Sequence, residues 1–293
     1  MKKIVVISGK GGTGKTIFTA SLTDLIPGPI GIVDCDVEAA NLALLLEHVD
    51  VRSRPFSGLE KARIIQDLCV GCGLCSINCR FDAIECQDGE YIVDPVHCEG
   101  CGVCMDICPE KAIVMEPMRD GTIYLSRTSK GLMSHAELCA GSGTSGLLVD
   151  QVKKEITGEM RDEKALIADG PPGIGCPTIS AVSGMDAAVI VTEPSVSGLH
   201  DLERLVRMAR GFDIRLFLVI NKYDLEPGMS KKVGDYAATE NIPVLGCVPF
   251  DPAVVDAVRK GIPPTRQDSP ASQAIRSAYD LSLIHISEPT RPY

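Results

Sequence analysis

The chain has 293 residues, 45 % of them apolar, with 29 Lys and Arg against 39 Asp and Glu for a formal net charge of −10. That length accommodates two domains, or one large domain with an insertion, and the composition is that of a folded globular chain. The acidic balance argues against a nucleic-acid binder, which needs Lys and Arg to neutralise phosphates; no run approaches the ~20 apolar residues of a membrane span, and no basic amphipathic helix near the C-terminus would lie on a membrane.

In chain order, an apolar run over 3–8 is the first expected strand, and it passes into a glycine-rich loop rather than continuing as a signal peptide. A helix is expected over 15–26, a strand over 30–34 and a second helix over 38–47. After a cysteine-rich stretch the alternation resumes with helix 145–156, strands 165–169 and 187–192, helix 198–210, strand 215–221, helix 231–240, strand 244–248 and helix 252–260. Most of these strands are continuously apolar, as parallel strands covered on both faces are. The expected fold class is α/β, a doubly wound, mostly parallel sheet that binds ligands at the carboxyl ends of its strands. Residues 1–52 and 117–282 make up that domain, and residues 53–116 are inserted after the second strand as a small α+β unit. Residues 283–293 read as a disordered tail or a sequence artefact.

Two motifs carry chemistry. Gly9-Lys10-Gly11-Gly12-Thr13-Gly14-Lys15-Thr16 follows the first strand and opens a helix, the arrangement of a phosphate-binding loop. Backbone N–H groups and the positive helix end face the anion; Lys15 is expected to reach the β- and γ-phosphates and Thr16 to ligate Mg²⁺. The second motif is a pair of cysteine runs, Cys69, Cys72, Cys75, Cys79 and Cys98, Cys101, Cys104, Cys108, each spaced x2, x2, x3, with Pro109 after the second run and Arg80 after the first. This is the bacterial ferredoxin spacing for two [4Fe–4S] clusters, in which the fourth cysteine of each run serves the other cluster. One cluster is therefore expected on Cys69, Cys72, Cys75 and Cys108, and the other on Cys98, Cys101, Cys104 and Cys79. Zinc, which more often takes separated CxxC pairs, fits this spacing less well. The segment 53–116 carries five Lys or Arg against eleven Asp or Glu. Thiolates committed to iron need a reducing compartment, so the chain is expected to be cytoplasmic. Cys35, Cys86 and Cys247 read as small packing residues.

The extra, earlier lysine of the loop, Lys10, makes it resemble the deviant P-loop of the MinD/ParA/Mrp superfamily, which includes the nitrogenase iron protein. The resemblance extends to Asp34-Cys35-Asp36, similar to switch I; to the stretch from Asp169 to Gly173, similar to Walker B and switch II; to Asn221-Lys222-Tyr223-Asp224 and Pro249-Phe250-Asp251. It covers the chain from residue 3 to about 282, and is nearest to members with an inserted ferredoxin domain. The resemblance implies ATP as substrate, Lys10 reaching the partner's phosphates in a nucleotide-sandwich dimer, Asp36 orienting the attacking water, Asp169 holding the Mg²⁺ shell, and Gly173 responding to the γ-phosphate. Asn221, Lys222, Asp224 and Pro249 are implied on the base side, where Asn-Lys-x-Asp also leaves GTP open. Cys139 and Cys176 resemble, in context and offset, the cysteines by which the nitrogenase iron protein bridges a cluster between subunits; small residues at switch turns are the plainer account.

The expected function is an ATP-hydrolysing, dimerising iron–sulfur protein that couples nucleotide-driven movement to electron transfer through two clusters. The alternative is a cluster carrier of the Mrp type, which would place a CxxC late in the chain, where this chain has Cys247 alone. Expected partners are a second copy or a paralogue, and either a redox protein or an apo iron–sulfur protein, with no nucleic acid and no membrane. A positioning ATPase acting on membrane or DNA would leave eight cluster ligands without a purpose.

Overall fold

The computed structural model describes residues 2–161 and 163–287, with the backbone alone over 283–287. In chain order it forms β1 (Lys2–Ser8), α1 (Lys15–Leu25), β2 (Gly31–Asp34), β3 (His48–Ile64), α2 (Leu74–Ile77), β4 (Ile84–Gln87), β5 (Glu90–Val93), α3 (Val103–Asp106), β6 (Ile113–Thr128), β7 (Gly131–Leu138), α4 (Ser145–Glu159), β8 (Ala165–Pro172), α5 (Cys176–Val182), β9 (Ala187–Thr192), α6 (Val196–Ala209), β10 (Arg215–Asn221), α7 (Pro227–Thr239), β11 (Val244–Val248), α8 (Pro252–Arg259) and α9 (Pro270–Ser287). The chain divides into two units. One comprises Met1–Ser53, Ile123–Glu137 and Ser145–Tyr293; the other comprises Arg54–Thr122 and Leu138–Thr144.

The first unit is built on a sheet of order β11-β10-β9-β1-β8-β2-β7-β6-β3. From β11 to β7 every pairing is parallel. Parallel strands need crossovers, and the helices supply them. All six expected strands are present, and β2, β8 and β9 are buried almost throughout because helices cover both faces. One core cluster gathers Phe18 and Leu22 of α1, Val189, Val219, Leu245 and Ile275; another gathers Ile30, Ile32, Leu42, Met133 and Ile167. The last strands turn back: Ser126 faces His135 and Tyr124 faces Glu137, so β6 runs antiparallel to β7.

Two of these expectations are corrected, and three strands were not among them. The helix over 38–47 is absent; only a single 3₁₀ turn, Leu42–Leu44, forms there. Asp34 captures the Leu42 N–H and Asp36 accepts from Ala39, so the segment wraps round the end of β2 instead of coiling. The segment expected to be a tail from 283 is helical to Ser287 as part of α9, and 288–293 lie outside the described residues. Strands β3, β6 and β7 go beyond the expected set: β3 and β6 are rich in charge, and β7 breaks its apolar residues with Ser134, His135 and Glu137, so none has the continuous apolar run of a buried strand.

The second unit repeats itself with an offset of 29 residues. Short helices α2 and α3 follow Gly73 (φ 75°) and Gly102 (φ 77°), and Gly71 and Gly100 share φ values of 69° and 68°. Three residues past the last cysteine of each run, Asp82 and Lys111 adopt φ 51° and 49°. The hairpin β4–β5 separates the halves. A small core joins them through Ala62, Ile64, Ala83, Ile84 and Ile113, with six of the run cysteines packed on or within it.

Candidate nucleotide and cysteine sites

Ser8 ends β1 and Lys15 begins α1, so the Gly9–Gly14 loop lies at the carboxyl end of the sheet. Gly12 (φ 79°) and Gly14 (φ 90°) occupy the left-handed region, which a residue with a Cβ enters only under strain. A Cβ on Gly14 would also strike the Asn221 amide. The Asn221 amide donates to the Thr13 carbonyl (2.7 Å) and Lys222 Nζ to the Gly12 carbonyl (3.1 Å), so the strand-end residues expected on the base side also brace the loop. Asp224 accepts from the Phe250 N–H (2.7 Å) and ties its turn to the Pro249–Asp251 stretch. A cavity of about 630 Å³ is bounded by Gly11–Phe18, Asp36, Asn221, Lys222, Pro249 and Asp251 among others. The Thr13 hydroxyl is buried without a hydrogen-bond partner among the described residues.

Beneath the loop lies a charged cluster. Asp169, fully buried on β8, accepts from Thr16 Oγ1 (2.6 Å) and Thr19 Oγ1 (2.7 Å) and pairs with Lys15 Nζ (2.8 Å). Asp34 sits across from it in register on β2 and accepts the Asp36 and Leu42 N–H groups, each at 3.0 Å. Burial, and then the charge of Asp169, push the Asp34 carboxyl up to about 7. Asp36 lies 3.9 Å from Lys15, and burial raises it above the usual carboxylate range. Between the two aspartates Cys35 is buried, and its burial pushes the thiol far up. Gly173 (φ 88°) donates its N–H to the Ser8 carbonyl, which links the end of β8 to the start of the loop.

Lys10 takes an unexpected position. Its Nζ pairs with Glu193 Oε1 at 2.6 Å and reaches Ser197 Oγ (3.1 Å) and Ser195 Oγ (3.3 Å) of its own chain. Glu193 also holds Lys222 at 3.3 Å. The sequence singles out Asp34 only as part of the stretch similar to switch I, and Thr19 and Glu193 not at all. Thr19 lies one helical turn beyond Lys15, and Glu193 directly follows a continuously apolar strand; those spacings were the available signals.

In the second unit the cysteines surround two small cavities. One is lined by Cys69, Cys72, Cys75 and Cys108; the other by Cys79, Cys98, Cys101 and Cys104. Each cavity thus takes three cysteines from one run and the fourth from the other. The Cys79 and Cys108 sulfurs each accept a backbone N–H, from Ala83 and Ala112, both at 3.3 Å. The left-handed turn at Asp82 and Lys111 aims those N–H groups. All thirteen cysteines are free thiols. Cys139 is exposed in the second unit and Cys176 is exposed at the start of α5 in the first. Cys86 and Cys247 are exposed rather than packed, because β4 belongs to a two-stranded ribbon and β11 is a sheet edge.

A fold with a P-loop at the carboxyl end of the middle strand of a parallel sheet defines a P-loop nucleotide-binding protein. The profile of the CobQ/CobB/MinD/ParA nucleotide-binding domain matches residues 4–264. The chain belongs to that family and is an ATPase of the MinD/ParA type. An uncharacterized protein of Methanocaldococcus jannaschii is 34 % identical over 285 residues, covering 95 % of each chain. The iron-sulfur cluster carrier protein of Pyrococcus abyssi is 25 % identical over 304 residues, covering 98 % of this chain and 87 % of its own. Among solved structures, the septum site-determining protein MinD of Pyrococcus horikoshii, complexed with Mg-ADP, shares the fold with a TM-score of 0.57 at 20 % identity, over 95 % of this chain and 94 % of its own. No helix among the described residues is long and apolar enough to cross a membrane.

Proposed function

We propose that the chain hydrolyses ATP as a dimer and couples the accompanying movement to one-electron transfer through two [4Fe–4S] clusters held in residues 53–116. The observation that carries the reading is the crosswise sharing of thiols: each four-cysteine cavity draws its fourth sulfur from the opposite run. Four thiols round a small cavity, two of them receiving N–H···S bonds, fit a cubane cluster. Cys69, Cys72, Cys75 and Cys108 hold one cluster; Cys79, Cys98, Cys101 and Cys104 hold the other. When bound, the clusters supply one-electron chemistry at potentials set by hydrogen bonds to sulfur and by exposure.

In the ATPase the loop N–H groups and Lys15 hold the phosphates. Thr16 and Asp169, already in contact through a hydroxyl and a carboxylate, fit a Mg²⁺ ion, which supplies charge neutralisation at the transferring phosphoryl group. Asp36 orients the water; Asn221, Lys222, Asp224 and Pro249 shape the base side. Gly173 couples the end of β8 to the loop. Lys10 serves the partner protomer's phosphates after leaving Glu193, so dimer closure and the breaking of that pair are one event. The partner protomer is a second copy or a paralogue, and the electron acceptor or donor is a redox protein with a basic docking face.

A carrier role is the second reading, favoured by the name of the Pyrococcus abyssi relative. Anaerobic purification followed by iron and sulfide analysis tests the main reading: about eight of each per chain are expected, and colourless protein with zinc on the cysteines ends it. Clusters retained through repeated reduction and oxidation favour electron transfer; their passage to an apo-ferredoxin within minutes favours carriage.

A further inference from the structure

Within the first unit, away from the nucleotide cavity, His48 and Asp50 of β3 and His135 of β7 converge on the strand β6 between them. One ligand atom from each lies within 4.8 Å of the other two. Asp50 Oδ1 and His135 Nε2 are 3.8 Å apart, close to the roughly 3.3 Å that two ligands span at Zn–N and Zn–O distances near 2.0–2.1 Å in a tetrahedron. We propose that His48, Asp50 and His135 form a binding site for a divalent first-row transition ion, with zinc the best fit. The inference rests on neither the nucleotide nor the cluster reading.

The surroundings are those of a prepared ligand set. His48 Nδ1 lies 2.9 Å from the Leu46 carbonyl; a carbonyl only accepts, so Nδ1 carries the proton and Nε2 keeps its lone pair. Backbone anchoring of the non-ligating nitrogen is the usual way a metal-binding histidine is oriented. The Ser126 hydroxyl donates to Asp50 Oδ1 (2.7 Å) and holds that carboxylate, while its oxygen lies 2.9 Å from His135 Nε2. Tyr124 stacks on the His135 ring, with centroids 5.0 Å apart and an interplanar angle of 13°, so the ring cannot swing away without breaking that contact. His135 is buried, but half the Asp50 side chain is exposed (53 %), so an ion arriving from water meets the carboxylate first. Two neutral imidazoles and one carboxylate suit a borderline cation better than Mg²⁺ or Ca²⁺, which take oxygen ligands. On binding, the proton on His135 Nε2 moves to Nδ1 and the bond to Ser126 gives way to the metal, with no net release of protons. Water completes the coordination.

The thiols also bind zinc, so the test follows the imidazoles. Wild-type protein labelled with ¹⁵N at its five histidines is titrated with Zn²⁺ and read by ring ¹⁵N–¹H correlation, with zinc counted by mass spectrometry after dialysis. Two of the five ring signals should shift at one equivalent beyond the cysteine load, and His48→Gln should bind one zinc fewer with the His135 signal unmoved. Ser126→Ala should weaken this equivalent by roughly 10–100-fold. Equal zinc in wild type and His48→Gln, or ring signals that follow pH but ignore zinc, would overturn the site and leave a hydrogen-bonded network. His48 is at the start of β3, so His48→Gln keeps the test usable if a His135 variant fails to fold.

Discussion

At the residue scale, Lys10 and Glu193 make the most direct prediction. Their ion pair is partly exposed, at 32 % and 23 %, so it contributes only about 0.2–1 kcal/mol. Glu193→Gln should therefore let hydrolysis rise at lower protein concentration, by less than about fivefold. Lys10→Ala should still bind nucleotide but show no rise of specific activity with concentration; ATPase assays across a dilution series check both. A variant of Lys10 hydrolysing at the parental rate would refute the sandwich role. Asp34 gives a pH prediction for the nucleotide-free protein. Its folded value of about 7 lies above the ordinary 3.8, owing to burial and then to Asp169. Between those values the folded chain binds the extra proton, so this group's contribution is full below about pH 3.8 and is lost as pH rises to about 7. Urea midpoints at pH 5 and pH 8 should differ less in Asp34→Asn than in wild type. Most of the loop was legible in the sequence because its glycines and lysines sit at fixed spacing. Glu193 was not, since nothing local says which cation a lone carboxylate after a strand will find.

At the scale of elements, the passage from β1 to α1 is the least tolerant. Gly14→Ala would force a Cβ into the left-handed region at a cost of about 1–2 kcal/mol and into the Asn221 amide. Loss of nucleotide binding measured by fluorescent-nucleotide titration is expected, with the sheet's far-ultraviolet dichroism retained. Six of the seven strands from β11 to β7 could be read because a strand covered on both faces writes itself as an uninterrupted apolar run. β3 could not: its sequence from His48 to Ile64 is charged and contains Pro55, and its strand character comes from pairing with β6 rather than from its own pattern. The segment 38–47 failed for the opposite reason. Its leucines have helical spacing, but Asp34 offers a better partner for the Leu42 N–H than a further turn would.

At the scale of the whole molecule, the proposed redox partner gives a prediction about charge. The chain carries a net −10, and residues 53–116 hold eleven acidic against five basic side chains. Electron transfer to a basic partner should slow as ionic strength rises through the range where the Debye length falls from about 10 Å to 3 Å. Stopped-flow reduction at a series of salt concentrations checks this, and a rate indifferent to salt would remove charge steering. The repeat of 29 residues was visible beforehand as paired cysteine runs. The left-handed turns at Asp82 and Lys111, which aim an N–H at sulfur, were not, because lysine does not favour that conformation and aspartate adopts it at only a minority of its positions.

The borrowing of one thiol by each half from the other makes the two halves hostage to each other. Cut anywhere in the β4–β5 ribbon, either fragment would own three sulfurs of one basket and a stray fourth that belongs to its twin. If the baskets hold the proposed clusters, no half-sized form completes either one. It resembles a handclasp, in which neither grip closes until both do.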